Sequence, residues 1–536
     1  MKKNWKIILV IIFLTFLGGF LRFLNLTSNP PSLNVDEVSY GYNAYSILKT
    51  SRDEYGKFLP LTFKSTGDYK NPVIIYSMVP SIAVFGLSEF SVRFPTALIT
   101  TLSIPIFFLF FYKFSKRKDI SLMGTFLISI SPWFLFYSRF ASDHAVAMVL
   151  VMVGIYFFLK MLEGKLFWAP LSALFLILSM YTYHSERLLV PPLVLVLLIL
   201  NWTKLPHMKF KISLFLGTCF LLSLPLLYLI VFGQGMSRAG MVFLSQDIDY
   251  TRYVILDHLQ RGLGENFLLI SFWIKRYLNY FQPDFLFFNG LNMTNPGSFG
   301  LGVLFLFELP WLVWGIVEIV KGKVPNAKLI VLWILLGIVP ASLTNNEQSA
   351  GRSLIILPPL ILISATGAIQ FFTWLKKLSI IYVLLMVLVL IQAYLVFVVH
   401  FPLQKGEAYM EGTKEAVLYA LENKNQYQEI VFDPKRGVEY GDVVSVPHMY
   451  ILFYSQYDPA KYQTEVGNFT SSEAHFNKFT IRDINWRDTG DQQKRGTLFI
   501  GSPWSLPEKE LKKEEILKRI YLKNGRLAFF IATPKR

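Results

Sequence analysis

Five short runs in this 536-residue chain bring together side chains that move protons or hold anions. The first is Asn34-Val35-Asp36-Glu37, followed by Val38, Tyr42, Tyr45 and Leu48 at roughly helical spacing. A carboxylate held on such a helix can take a proton from an incoming hydroxyl. The same residues also read as a helix start, with Asn34 as N-cap, Glu37 completing a capping-box pattern and both acids favouring the helix dipole. The second run is Gly67-Asp68-Tyr69-Lys70-Asn71-Pro72, and Arg93-Phe94-Pro95 follows it. Lys70 can pair with a phosphate as a compact point charge, or simply snorkel to an interface. The third is Ser138-Arg139-Phe140-Ala141-Ser142-Asp143-His144, where Asp143 either caps a helix or serves a site. Single cations mark the last two, Arg187 in Tyr181-Thr182-Tyr183-His184-Ser185-Glu186-Arg187 and Arg352 in Asn345-Asn346-Glu347-Gln348-Ser349-Ala350-Gly351-Arg352. Each of these also suits the end of a helix, where it satisfies carbonyls.

The elements that must position these residues follow from composition. Hydrophobic residues make up 53% of the chain and charged ones only 16%, against about a quarter in soluble domains. Apolar runs recur at the ~20-residue length that crosses a bilayer. The chain therefore reads as an α-helical polytopic membrane protein. The basic start up to Lys6 and the apolar run Ile7 to Leu24, with no small-residue cleavage site after it, predict an uncleaved first span whose N-terminus is cytoplasmic. Eleven further apolar stretches lie near 71–88, 94–112, 120–138, 143–159, 166–183, 188–201, 212–232, 300–320, 329–343, 353–372 and 379–399.

The net charge of +16 would suit nucleic acid only if the basic residues gathered on one surface. They lie instead in short clusters between apolar runs: Lys113 to Lys118, Lys160 with Lys165, Lys204 to Lys211, Lys321 to Lys328, and Lys376 with Lys377. If every stretch crossed, these clusters would fall opposite the N-terminal lysines. Placing 71–88 in the interface, where Pro72 and Pro80 suit it, leaves eleven crossings and puts every cluster inside. The loops 25–93, 139–142, 184–187, 233–299 and 344–352 then fall outside. The positive charge is a topology signal with a secondary attraction to anionic membrane lipids, and no nucleic-acid partner is expected.

Beyond about residue 401 both signs of charge become common, with a helix-like stretch near 409–422 and strand-like runs at 429–432 and 497–500. The expected domains are a transmembrane region 1–400 and a small extracytoplasmic α/β domain 401–536. Within 1–400 the first external loop, 25–93, and the large loop 233–299 stand out. The single cysteine, Cys219, lies in an apolar run, so neither an intramolecular disulfide nor a cysteine metal site is expected.

Asp36-Glu37, Lys70-Asn71-Pro72, Arg93-Phe94-Pro95 and Ser138-Arg139-Phe140-Ala141-x-x-Asp143 stand in one order over about residues 1–200, and Tyr181-x-Tyr183-x-x-x-Arg187 extends it. In this order the chain resembles the GT-C membrane glycosyltransferases that use polyprenyl-phosphate sugars, of the family-39-like group that contains protein O-mannosyltransferases and the aminoarabinose transferase of lipid A. Asn279-Tyr280-Phe281-Gln282-Pro283-Asp284-Phe285-Leu286-Phe287 with Glu308-Leu309-Pro310 is similar to an element of bacterial members.

The resemblance implies that Asp36 is the general base on the acceptor, with Glu37 its neighbour in the pair and Asp143 a second active-site acid. It implies Lys70 at the donor phosphate, although Lys-Asn-Pro replaces the frequent Lys-Pro-Pro. It also implies interfacial helices in the first external loop. Arg187 and Arg352 join Lys70 as expected phosphate-binding cations; Arg93, Arg139, His144 and Tyr183 are further substrate-binding candidates. In related oligosaccharyl transferases the two acids bind a divalent metal, whereas the family-39 branch does not generally require one, so neither metal nor cofactor is expected. The expected reaction is an inverting transfer of sugar from a polyprenyl-phosphate donor to a hydroxyl of a lipid, glycan or protein at the external face of the plasma membrane. Tyr277, Tyr280, Phe281 and Phe285 either cover that site or form a packing belt. The alternative is a polytopic transporter or lipid flippase, which usually carries its polar residues at mid-membrane rather than at the external ends of spans.

Overall fold

The computed structural model describes residues 5–65, 68–233, 240, 242–260, 264–294, 300–345, 347–437, 443–467, 473–487 and 490–535. Gly67 and Asn346, quoted in two of the runs above, lie outside the described residues. The chain divides into two compact units. The first comprises 1–24 with 96–396, and the second comprises 25–95 with 397–536. This partition differs from the sequence-based one at 400, because residues 25–95 group with the C-terminal region.

The first unit is helical. Together with the ends of the second unit that run into it, the described chain has 6 helices long and apolar enough to cross a membrane, and Pro72–Phe85, Trp168–Thr182 and Ala327–Ser342 are shorter apolar helices. Pro72–Phe85 has 14 residues, so at about 1.5 Å per residue it falls short of a ~30 Å hydrocarbon core. The apolar stretch 120–138 is split into Lys118–Ile130 and Pro132–Tyr137. Pro132 lacks the N–H that a continuous helix needs there, and the Ser131 hydroxyl accepts from Phe134 N instead. Burial sorts the long helices: the most apolar window of Ala350–Leu375 is 89% buried and that of Ser379–Lys405 only 6%. A helix apolar all round and exposed along its length needs a lipid solvent, so this is a multi-pass membrane protein.

The second unit contains a mixed six-stranded sheet in the order Ala474–Phe476, Phe479–Ile481, Glu429–Phe432, Thr497–Gly501, Leu527–Ala532, Ile516–Tyr521. Glu429–Phe432 pairs in parallel with both of its neighbours, and the other pairings are antiparallel. Thr497–Gly501 is buried at every residue, as a central strand covered on both faces must be. Val431, Trp486, Phe499 and Phe530 lead the core on one face.

The helix Val35–Thr50 packs into this unit. Gly41 makes that approach possible: a Cβ there would stand 2.7 Å from both the Phe453 ring and a Val92 methyl. Tyr450 Oη donates to Leu33 O at 2.7 Å, and Tyr42 Oη donates to Tyr457 O at 3.1 Å. Gln463 Nε2 reaches Ser46, Thr50 and Asp53 at 2.9 to 3.1 Å, so the helix is braced along its length.

Glu54 follows this helix and is only 2% exposed, with Asn43 Nδ2 donating to Oε1 at 3.0 Å. Burial pushes its carboxyl from 4.5 up to about 8 against the opposing pull of the Asn43 hydrogen bond. Burial also raises Asp53 beside it. The folded state therefore binds more protons than the unfolded one between about 4.5 and 8, and stability falls as pH rises through that window. Melting temperature is expected to drop from pH 5 toward pH 8 in wild type and to vary less in Glu54→Gln, whose amide oxygen still accepts from Asn43. Parallel melting curves for the two proteins would contradict this account.

Candidate active site

Asp36 lies in the first turn of Val35–Thr50, placed by the capping box in which Asn34 Oδ1 accepts from Glu37 N at 2.8 Å and Glu37 Oε2 accepts from Asn34 N at 3.0 Å. Lys70 ends a two-stranded hairpin, Phe63–Ser65 with Asp68–Lys70. The Ser39 and Ser65 hydroxyls meet at 2.6 Å and tie the hairpin to the helix one turn beyond Asp36. Lys70 Nζ then stands 2.7 Å from Asp36 Oδ1 and 3.2 Å from Asp68 Oδ2. The lysine side chain is 7% exposed and that of Asp36 48%, so a buried cation supports a carboxylate that solvent and ligands reach. Asn71 adopts extended backbone as the residue before the helix Pro72–Phe85, with Pro72 in its first turn. The Lys-Asn-Pro departure therefore still delivers a helix start. Sequence reasoning passed over Asp68, Ser39 and Ser65; the only hint was Asp68 lying two residues from Lys70 on a strand, where side chains i and i+2 share a face.

Glu37 and Arg93 correct the expectation that they face substrate. Both side chains are 0% exposed. Arg93 spends all five N–H groups inside the protein: Nε on Glu37 Oε1 at 2.9 Å, Nη1 on Leu26 O and Pro30 O at 2.9 Å each, Nη2 on Ser32 O and, at 3.1 Å, on Glu37 Oε2. A guanidinium has five donors, so none remains for a ligand. Glu37 accepts two hydrogen bonds from that fork and one from Asn34 N. The pair clamps 26–32 to the helix that presents Asp36 and is a positioning device.

The first unit holds a second set. Asp143 Oδ1 lies 2.9 Å from His144 Nδ1 at the start of the helix Asp143–Met161, which the Ser142 hydroxyl caps. The His144 ring packs on Tyr183 at 4.2 Å between centroids and on Tyr137 at 5.6 Å. The turn carrying Arg352 closes over this ring: a Cβ on Gly351 would stand 2.8 Å from His144 Nε2, so only glycine fits. Ser349 N donates to Tyr280 Oη at 2.9 Å, Gln348 Nε2 to Asn279 O at 2.6 Å, and Trp133 Nε1 to Ala350 O at 2.8 Å, which fixes the turn. Asp143, His144, Tyr183 and Arg352 are thus brought together.

Arg139 and Arg187 each engage helix-end carbonyls. Arg139 is 2% exposed and donates to Leu21 O, Arg22 O and Leu24 O, which closes the last turn of the helix Trp5–Phe23. A buried cation on terminal carbonyls satisfies groups that the helix cannot. Arg187 Nε donates to Met180 O at 3.2 Å, near the end of Trp168–Thr182, which is the helix-end alternative for this residue. Of the four aromatic residues expected over the site, Tyr280 and Phe285 are buried in the packing, 5.2 Å apart and with Phe285 6.1 Å from Trp133.

Among the described residues no three His, Cys, Asp or Glu side chains are gathered to hold a metal ion. At Asp36 and Asp68 the Lys70 ammonium already lies between the carboxylates where a divalent ion would have to sit, so this donor set does not fit one.

Residues 69–229 match the family described as dolichyl-phosphate-mannose-protein mannosyltransferase. The matched segment contains Lys70, Arg93, Arg139, Asp143, His144, Tyr183 and Arg187. ArnT from Cupriavidus metallidurans, in the apo state, superposes over 100% of both chains with a TM-score of 0.58 at 12% identity. Its form bound to undecaprenyl phosphate covers 99% of this chain and 100% of that one, with a TM-score of 0.56 at 12% identity. The chain has the GT-C glycosyltransferase fold. The Archaeoglobus fulgidus oligosaccharyltransferase in its apo form shares this GT-C architecture over 84% of the present chain, with a TM-score of 0.51 at 14% identity. The alignment spans only 64% of that larger protein. No curated protein sequence matches the chain significantly. The family that residues 69–229 match is one of mannosyltransferases, and the oligosaccharyltransferase that shares the fold is a transferase as well.

Proposed function

We propose that the chain transfers a sugar from a polyprenyl-phosphate-linked donor to an acceptor hydroxyl at the external membrane face, with inversion at the anomeric carbon. The observation that carries this reading is the contact of a half-exposed carboxylate, Asp36, with a buried ammonium, Lys70, at 2.7 Å. Asp36 takes the acceptor proton as the acceptor oxygen bonds to the anomeric carbon. The bond from that carbon to the phosphate oxygen breaks, and the polyprenyl phosphate leaves with the electron pair. An ammonium has three N–H groups, and the two carboxylates engage two of them. The third suits a phosphate oxygen on which charge grows. The undecaprenyl phosphate of the bound ArnT structure supports a polyprenyl phosphate as the donor's lipid. In the first unit the turn that carries Arg352 lies against His144, the neighbour of Asp143.

The purified protein supplied with a panel of polyprenyl-phosphate sugars and candidate acceptors, with mass detection and NMR of the product, tests the reading. Consumption of one donor and a product of inverted anomeric configuration are expected. No consumption of any donor would remove the transferase assignment, and a retained configuration would remove the single displacement.

The proposed topology has eleven crossings, a cytoplasmic N-terminus and an external C-terminal region, with Pro72–Phe85 in the interface. In a Cys219→Ser background, Phe90→Cys is expected to label with an impermeant reagent from outside, and Lys116→Cys only from inside. Labelling of position 90 from inside would make Pro72–Phe85 a crossing.

A further inference from the structure

The second unit contains a cavity of 450 Å³, distinct from the Asp36 and Lys70 pair, whose walls come from the loop at 27–32, Glu89, the helix Thr413–Asn423 and the strand Ile516–Tyr521. This is within the range of small-molecule sites, roughly 300–1,000 Å³. Its charged groups come largely in pairs. Lys414 bonds Glu89, which also accepts from Tyr454 Oη at 3.1 Å, and Lys518 lies 2.8 Å from Glu415. Glu411, nine-tenths buried, accepts from Lys523 N at 3.3 Å. With Glu89, Glu411, Glu415 and Glu422 against Lys414 and Lys518 the wall is acidic on balance, and these groups fix many donors and acceptors, since each ammonium has three N–H groups and each carboxylate about four acceptor sites. Glu422 adds a further carboxylate to this wall.

Two tyrosines supply the complementary surface. Tyr419 carries the Lys518 ammonium 5.5 Å from its ring centre, and Tyr521 is 54% exposed. A ligand that matches both features has hydroxyls that donate and accept in quick succession and an apolar C–H face to lay on a ring. That is the chemistry of a saccharide. Charge-assisted hydrogen bonds to hydroxyls are also stronger than neutral ones, which suits a ligand that must compete with water. The cavity is fastened to the catalytic frame, because Ser32 in its wall gives its carbonyl to Arg93 Nη2, which also donates to Glu37, the neighbour of Asp36.

We infer that this cavity binds sugar residues of the acceptor, so that the hydroxyl acceptor is a glycan or a glycan-bearing lipid; this rests on the transferase reading above. The full-length protein in lipid nanodiscs is examined by saturation-transfer NMR with methyl glycosides of mannose, galactose and N-acetylglucosamine, and with tri-lysine as a competitor. At least one glycoside is expected to receive saturation, reduced roughly fivefold or more in Tyr521→Ala and visibly in Glu422→Gln. Consumption of a polyprenyl-phosphate sugar by water, measured without acceptor, is expected to stay at the wild-type rate in both variants. No glycoside signal in wild type, an undiminished signal in both variants, or displacement by tri-lysine would each overturn the inference, the last in favour of a basic peptide. Glycoside binding that the variants weaken, in a protein that consumes no donor, would keep the cavity's assignment and remove the transferase.

Discussion

Asp36→Asn is expected to lower sugar transfer by about 10²- to 10⁴-fold, the usual contribution of a positioned base. The substitution is nearly isosteric and keeps a polar side chain in the first turn of Val35–Thr50, so the helix start survives. Lys70 retains Asp68 at 3.2 Å, which keeps its buried charge compensated. Half of the Asp36 side chain already faces solvent, so little packing is lost. The loss therefore falls on turnover, with donor affinity and melting temperature close to wild type. Steady-state kinetics on a responsive donor, with a melting curve for each protein, check this. Undiminished turnover in Asp36→Asn would remove the base assignment, and a large drop in melting temperature would assign the residue to folding.

Arg93→Met is expected to destabilise the second unit by about 3–5 kcal/mol, the cost of leaving one member of a buried ion pair alone. Glu37, at 0% exposure, would keep a charge with no cation beside it, and three carbonyls of the loop 26–32 would lose their donors. Arg93→Lys is expected to recover little, because one ammonium cannot reproduce a fork that serves two carboxylate oxygens and three carbonyls at once. The double replacement Glu37→Met with Arg93→Met removes both charges and is expected to melt above Arg93→Met alone, although the unmet carbonyls and the lost cap keep it below wild type. Denaturation monitored on the four proteins separates these outcomes. Wild-type stability in Arg93→Met would mean that Arg93 is not clamped as described. In contrast to Asp36→Asn, the fall in transfer should follow the fall in folded fraction.

The two substitutions show why neighbouring acids in one motif take different parts. In the sequence, Asp36 and Glu37 are equivalent members of a pair, and the capping-box pattern applies to Glu37 alone. That pattern is local, spanning three residues, and it was legible for that reason. The cation that claims Glu37 lies 56 positions away, and nothing in Arg93-Phe94-Pro95 distinguishes a guanidinium bound for a carboxylate inside the fold from one bound for a substrate. Arg139 is a parallel case. Its residue type at a helix mouth suits a ligand as well as it suits the carbonyls of Leu21, Arg22 and Leu24, more than a hundred positions earlier.

Properties that depend on neighbours within a few residues were readable directly. Mean hydropathy of +0.43, apolar runs of bilayer length and the placement of lysines between them point to a polytopic membrane chain. Strand-like runs at 429–432 and 497–500 stand in the structure as Glu429–Phe432 and Thr497–Gly501, since β-branched and aromatic runs buried on both faces have few other uses. The helix-like stretch near 409–422 appears as Thr413–Asn423. The motif order by itself already pointed to the GT-C group, whose solved members share this chain's fold.

Tertiary structure alone decided which side chains meet. It set Lys70 against Asp36 across 34 residues, left Asp36 half open while sealing Glu37, and packed Val35–Thr50 onto the C-terminal segment 447–465 through Gly41, Tyr42 and Tyr450. The physical reason is that hydrophobic periodicity and charge placement sort residues by solvent, water or lipid, whereas a salt bridge or a close backbone approach is chosen by geometry between segments distant in the chain. Such choices leave no periodic trace, and a buried positioning arginine and a ligand-binding one are written with the same letter.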